Sequence, residues 1–320
     1  MRELAYVNAI REAIQQEMRR DETVFVVGQD VRGGVYPHTL DLIEEFGEER
    51  IVDTPISESA MHGTAFGSAL QGYRPIVDFM FASTAMTVFT ETAIMTGQQY
   101  FLHGSKRPVP LVMTGAWGIG KRTANDHAMP IHGYYSRAPG LRVVIPSTPY
   151  DAKGIFTAAI RDNNPVMIPW CTGIMMLKGD VPEESYELPL DKASVKRAGS
   201  DVTVLANSEQ LQFALKVADK LSDEISMEVI DPISFSPIDM ETILSSLEKT
   251  NRIVIVDEDW ESGGFAATVS ARIVEQAFDL LDAPIQRVCF PNMPIPGGYM
   301  EDYLRPNPEK IESAVRYVCA

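Results

Sequence analysis

Val24-Phe25-Val26-Val27-Gly28 is a short apolar, β-branched run closed by glycine. A run of that length and character reads as a strand buried on both faces. Upstream, Leu4, Val7, Ile10, Ile14 and Met18 recur at steps of three and four, which predicts one amphipathic helix over Glu3 to Met18. Downstream, strand-like runs return at Ile51 to Thr54, Ile76 to Met80, Val109 to Met113, Arg142 to Pro146 and Val166 to Pro169. Helix-length segments separate most of them. Thr148-Pro149-Tyr150-Asp151 is a helix start, with Thr as cap, Pro in the first turn and an acid three residues on. Buried strands alternating with helices predict an α/β fold built on a mainly parallel sheet covered on both faces.

Residues 171–200 break this rhythm, and Leu177 to Glu184 is polar and turn-rich, so a linker is expected there. Alternation then resumes. Strands are expected at Val202 to Ala206, Met227 to Ile230, Ile253 to Val256 and Gln286 to Phe290. Helices are expected at Glu209 to Leu221, Ile238 to Leu247, Phe265 to Phe278 and Glu309 to Tyr317. The expectation is two α/β domains, 1–190 and 195–320, each a mainly parallel sheet with helices.

Composition narrows the function. The chain has 320 residues, 28 Lys+Arg against 44 Asp+Glu, and a net charge of −16. Apolar residues make up 45%, an ordinary globular share that excludes gross disorder. The negative surplus argues against nucleic acid or an anionic membrane as partner. Cys171, Cys289 and Cys319 are too few and too scattered for a disulfide framework or a metal knuckle. No apolar run approaches the roughly 18 residues of a membrane span. The start, Met1-Arg2-Glu3-Leu4, resembles no targeting peptide, so a cytoplasmic location is expected.

Stand-alone motifs are missing. No Gly-x-Gly-x-x-Gly follows the first strand, and Gly118-Ile119-Gly120-Lys121-Arg122 lacks the phosphate-loop spacing. What remains are polar residues at strand ends, where open α/β sheets place ligands. The sharpest is Thr54-Pro55-Ile56-Ser57-Glu58. A strand ends, Pro turns the chain, and Ser57-Glu58 opens a helix of small residues: Ala60, Gly63, Thr64, Ala65, Gly67 and Ala69. Such a helix packs closely against another helix or subunit. A carboxylate there is also an ordinary acid at a helix start.

Thr54 to Glu58, the small-residue helix and Gly72-Tyr73-Arg74-Pro75-Ile76 together resemble the beta subunits of thiamine diphosphate-dependent 2-oxoacid dehydrogenases, the pyruvate, branched-chain and acetoin enzymes. Pro108 to Val112, His127 ahead of Ala138 to Val144, Asp151 to Gly154 and Ala159 to Val166 extend the resemblance. It covers nearly the whole chain and weakens after Met167. It implies a pyrimidine-binding domain followed by a transketolase C-terminal-like domain.

The resemblance implies roles. Glu58 would hydrogen-bond the aminopyrimidine ring of thiamine diphosphate and so activate the cofactor for 2-oxo acid decarboxylation and acyl transfer. His127 would lie over its thiazolium end; a surface loop histidine is the alternative. Gln29, Met80, Phe81 and Thr84 occupy cofactor-contact positions. Leu111, Ala159, Asp162 and Asn164 match a monovalent cation site made mostly of main-chain carbonyls, suited to K+. Asp162 to Pro165 is otherwise an ordinary helix-ending turn. The diphosphate and its Mg2+ require a Gly-Asp-Gly motif, absent here and placed on the alpha subunit. The implied assembly is therefore two alpha plus two beta chains, with a lipoyl acyltransferase as further partner of the dehydrogenases.

Departures from the family cluster at the same site. Gln29 replaces a Glu, Thr84 replaces a frequent Phe, Trp170 replaces a common Glu, and the strand after Pro110 continues as Met113-Thr114-Gly115-Ala116-Trp117 without the Arg of several members. Lys121 and Arg122 are candidates for a substrate phosphate or carboxylate, or form a solvated basic loop. His62, four residues after Glu58, either faces substrate or packs the helix. His132 is expected at the surface or behind the site. These changes leave two other readings open: half of a split transketolase-like carboligase making a hydroxyketone, or a non-catalytic subunit completing the heterotetramer.

Overall fold

The computed structural model describes residues 1–104 and 106–320. Its strands are β1 (Arg2–Ala5), β2 (Val24–Gly28), β3 (Ile51–Asp53), β4 (Arg74–Phe81), β5 (Val112–Trp117), β6 (Arg142–Val144) and β7 (Val166–Cys171). There follow β8 (Lys178–Val181), β9 (Ser194–Arg197), β10 (Val202–Ala206), β11 (Met227–Asp231), β12 (Ser234–Ser236), β13 (Ile253–Trp260) and β14 (Gln286–Phe290). The longer helices are α1 (Tyr6–Arg20), α2 (Glu58–Leu70), α3 (Pro149–Arg161), α4 (Ser208–Lys220), α5 (Met240–Thr250), α6 (Phe265–Ala277) and α7 (Pro308–Cys319).

The first sheet runs β12-β6-β7-β5-β4-β2-β3 and is parallel except for β12. Its central strands are buried along both faces, which is why they read as continuous apolar runs rather than alternating ones. Helices α1 and α3 pack together over one face through Ala9, Ile10, Ala13, Ala152, Phe156 and Ala159. The second sheet runs β14-β13-β10-β11-β9, parallel except for edge strand β9. Among the described residues no helix is long and apolar enough to cross a membrane.

Long-range pairing reshapes three expectations. The first helix starts at Tyr6 because Arg2–Ala5 is drawn into antiparallel pairing with β8. The expected linker is strapped down: the buried Lys153 ammonium, paired with the Glu12 carboxylate at 2.5 Å, donates to the carbonyls of Pro182 and Glu183 at 2.7 and 2.9 Å. Strand β5 begins at Val112, not Val109, beyond Pro108 and Pro110, which bring no N–H to a sheet. Finally, β12 leaves the second half of the chain to pair with β6, with Ser234 opposite Val144, and so ties the two halves together.

Candidate functional site

Strands β2, β3 and β4 end side by side, with Gly28 opposite both Asp53 and Asp78. Gly28 has no alternative, since a Cβ there would stand 2.4 Å from the Asp78 carbonyl oxygen. Gln29 follows, its amide 3.3 Å from the Asp30 carboxylate. Next to these ends Glu58 opens α2, half-buried. Among the described residues its carboxylate has no hydrogen-bond or ion-pair partner. Ser59, Ala60, Gly63, Thr64 and Gly67 of α2 are exposed, and the glycines have open space around them. A close-packing face of small residues is thus turned outward.

The end of β4 is bent. Asp78 is buried and accepts from the Met80 amide at 2.9 Å. Met80 has a φ of 62°, and the pairing with β5 shifts register between Asp78 and Phe81. Phe81, paired with Ala116 beyond this shift, closes the strand, and its ring meets His127 edge-on at 4.4 Å between centroids. Thr84 does not point away from this end: its hydroxyl donates to the carbonyls of Phe79 and Phe81 at 3.1 and 3.0 Å. Ser83 donates to the Asp126 carbonyl and so fixes the segment before His127. His127 itself is half-buried in the short helix Asn125–Ala128, with Nδ1 3.0 Å from the Asp126 carboxylate.

The loop leading to His127 is held by the second half of the chain. The Ile119 amide donates to Glu258 at 2.6 Å, and Arg305 bridges the Ile119 carbonyl and Glu209 at 3.1 and 2.8 Å. Burial, with Glu209 nearby, pushes the Glu258 carboxyl well above the usual range. Lys121 is exposed, whereas Arg122 is taken up by Asp302 at 2.8 Å and its amide by Glu301.

Two histidines lie elsewhere. His62 is buried, bonded to the Thr96 hydroxyl at 2.8 Å and stacked between Phe66 and Phe79; burial lowers its pKa. It packs α2 rather than facing the space beside Glu58. His132, expected at the surface or behind the site, is fully buried, with Nε2 2.9 Å from Asp257 and 4.0 Å from Asp259. Burial opposes its charged form, but these carboxylates raise its pKa on balance. The donor atoms of His132, Asp257 and Asp259 lie within 4.8 Å of one another, within reach of one cation.

Leu111, Ala159, Asp162 and Asn164 collect at the opposite end of the sheet, where β5 and β7 begin and α3 ends. The Leu111 carbonyl accepts from Val166 at 2.9 Å, and Asp162 accepts from the Asn164 amide at 2.9 Å and faces Arg142 at 3.2 Å. Arg74 donates to the carbonyls of Ile160, Arg161 and Asp162 at 3.0, 3.1 and 3.0 Å.

Sequence reasoning passed over Tyr36 and His38, in the irregular loop after β2. His38 Nε2 lies 2.8 Å from Asp78, and both rings stand edge-on to the buried Trp170, at 5.0 Å for Tyr36 and 5.3 Å for His38. No local pattern marks them, because their partners come from β4 and β7.

Comparison with known proteins adds three findings. Residues 2–171 match the family described as transketolase, pyrimidine binding domain, and residues 191–311 match transketolase, C-terminal domain. The chain is 40% identical to the acetoin:2,6-dichlorophenolindophenol oxidoreductase subunit beta of Bacillus subtilis (strain 168), covering 98% of this chain and 96% of that one. It is 39% identical to the 2-oxoisovalerate dehydrogenase subunit beta of the same organism (98% and 98% covered). It is 38% identical to the pyruvate dehydrogenase E1 component subunit beta of Gracilaria tenuistipitata var. liui (99% and 100% covered). A solved structure described as split gene transketolase, inactive beta4 tetramer, superposes with a TM-score of 0.81 over 99% of this chain and 98% of that one at 19% identity, which shows a shared fold.

Proposed function

The chain belongs to the family of 2-oxoacid dehydrogenase beta subunits built from transketolase-type domains, and we propose that it supplies the pyrimidine half of a thiamine diphosphate site completed by an alpha partner. The observation that carries this reading is Glu58: a half-buried carboxylate without a partner among the described residues, at a helix start, beside converging strand ends.

The residues present suit the aminopyrimidine end of that cofactor. An unpaired carboxylate is the group that can hold a proton at a ring nitrogen. Phe81 and Met80 offer an apolar wall, and Gln29 an amide. When bound, thiamine diphosphate supplies the acidic ring carbon and electron sink on which a 2-oxo acid is decarboxylated. Glu58 holds and returns the ring proton. His127, fixed against Phe81 and Asp126, exchanges a proton with a substrate oxygen. Thr84, turned back onto β4, acts by shaping the strand end. Lys121 is the exposed cation of this loop that has no ion-pair partner among the described residues, whereas Arg122 and His62 serve packing.

The diphosphate and its Mg2+ fall to the alpha partner, because this chain has no Gly-Asp-Gly. An all-oxygen set at Leu111, Ala159, Asp162 and Asn164 suits a weakly hydrated K+ in a structural role, remote from Glu58. We take residues 1–190 as the pyrimidine-binding domain and 195–320 as the C-terminal domain, in a cytoplasmic assembly of two alpha plus two beta chains. The outward face of small residues on α2 suits its inter-subunit packing. The names of the relatives support a dehydrogenase subunit over a ketol-transferring ligase, and our proposal takes a 2-oxo acid as substrate and a lipoyl acyltransferase as acceptor.

Calorimetry tests the shared site. Thiamine diphosphate with Mg2+ is titrated into this chain alone and into its complex with the alpha chain. Binding by the complex only is expected; tight binding by this chain alone contradicts the reading.

A further inference from the structure

We propose that His38 is a positioning residue for the reaction, acting through Asp78 to set where Phe81 and His127 stand. The proposal rests on the assignment of His127 to the reacting site.

His38 is 1% exposed. Its Nε2–H donates to Asp78 Oδ2 at 2.8 Å, while Nδ1 is buried with no partner among the described residues. The ring is enclosed by Trp170 and Tyr36, so it meets neither substrate nor cofactor. A buried imidazole with one nitrogen unsatisfied is costly, and an apolar ring would fill the same space without that loss. The hydrogen bond to Asp78 is what the histidine provides and an apolar ring does not.

Asp78 turns this bond into geometry. Its other oxygen accepts the Met80 amide at 2.9 Å, across a residue held at a φ of 62°. A non-glycine residue persists in that region only where its surroundings over-determine it. With Oδ2 anchored by His38, Oδ1 is aimed at Met80, and β4 makes the bend, with its register shift, that presents Phe81 at the strand's end. The Thr84 hydroxyl grips the same turn from the other side, through the carbonyls of Phe79 and Phe81. Phe81 then contacts His127 at 4.4 Å, and Ser83 joins the turn to the Asp126 carbonyl. A chain of contacts therefore runs from the loop after β2 to the imidazole at the site: His38, Asp78, Met80, Phe81, His127. Misplacement of a catalytic group by ~1 Å can cost ~100-fold in rate.

Two variants separate this role from space-filling. His38→Phe keeps an aromatic ring against Trp170 but cannot donate, whereas His38→Gln can donate to Asp78. Both are made in the full alpha–beta complex for kinetics and in the full chain for crystallography. In His38→Phe, kcat for the 2-oxo acid falls about 10- to 100-fold with KM little changed. In the same variant the Phe81–His127 contact opens beyond its present 4.4 Å. His38→Gln restores both. A folded His38→Phe with unchanged kcat and an unchanged Phe81–His127 contact overturns the proposal, as does a folded His38→Gln that restores neither. The crystallographic readout is independent of the chemistry. If His127→Ala is fully active, the functional reading fails while the geometric prediction for His38 is still decided.

Discussion

The His127 imidazole meets the Phe81 ring edge-on, 4.4 Å between centroids with the planes at 90°. Edge-to-face contact directs the polarised edge of one ring at the π-face of the other and fixes orientation as well as distance. It joins the bent end of β4 to the loop that the second half of the chain holds down through Glu258 and Arg305. The site wall is thus built from both halves.

His127→Ala is expected to lower kcat ~100-fold in the alpha–beta complex, the usual scale for losing a positioned proton-transfer group. Phe81→Leu keeps an apolar side chain but loses an aromatic contact worth about 1 kcal/mol, so kcat falls about fivefold. Steady-state kinetics, with a thermal melt showing both variants folded, checks the pair.

His62→Ala is expected to act on stability alone. It removes the Thr96 hydrogen bond and a ring stacked between Phe66 and Phe79, at a cost of about 2–3 kcal/mol in a urea titration, with KM unchanged. Because burial depresses the His62 pKa, the unfolded chain takes up its proton first as pH falls. The stability His62 provides is full above the ordinary imidazole range and is lost on acidification, so wild type and His62→Ala converge toward lower pH.

Asp231 runs the other way. Complete burial, with Asp151 nearby, raises its pKa to about 7 despite Lys196. The folded protein then holds a proton that the unfolded chain releases at ordinary carboxylate pH. The stability Asp231 contributes is full below the ordinary carboxylate range and is lost as pH rises through about 7, the value at which the folded group ionises. Asp231→Asn stays neutral throughout, so its gain over wild type is larger at alkaline than at mildly acidic pH. Chemical denaturation at both pH values measures the difference.

Much of this was legible in the sequence because buried parallel strands are local, continuous apolar runs. β2, β10 and β14 have the bounds their residues predict. Glu58 opens α2 after β3, and His127 stands against Phe81 at the end of β4. Illegible were elements whose partners are distant. Arg2–Ala5 is a strand only because β8 lies beside it, and β12 is three residues that cross to the other half's sheet. His62 was readable either way, since four residues after Glu58 fixes a helix position but not what surrounds it. His38 carries no motif at all; its meaning comes from Asp78 and Trp170, supplied by two other strands.

The most direct test of the central claim is Glu58→Gln in the assembled alpha–beta complex. Gln keeps size and one acceptor but cannot hold a proton as a carboxylate does. The account predicts that thiamine diphosphate still binds while 2-oxo acid decarboxylation falls ~100-fold or more. A variant that binds the cofactor and decarboxylates at the wild-type rate would contradict it.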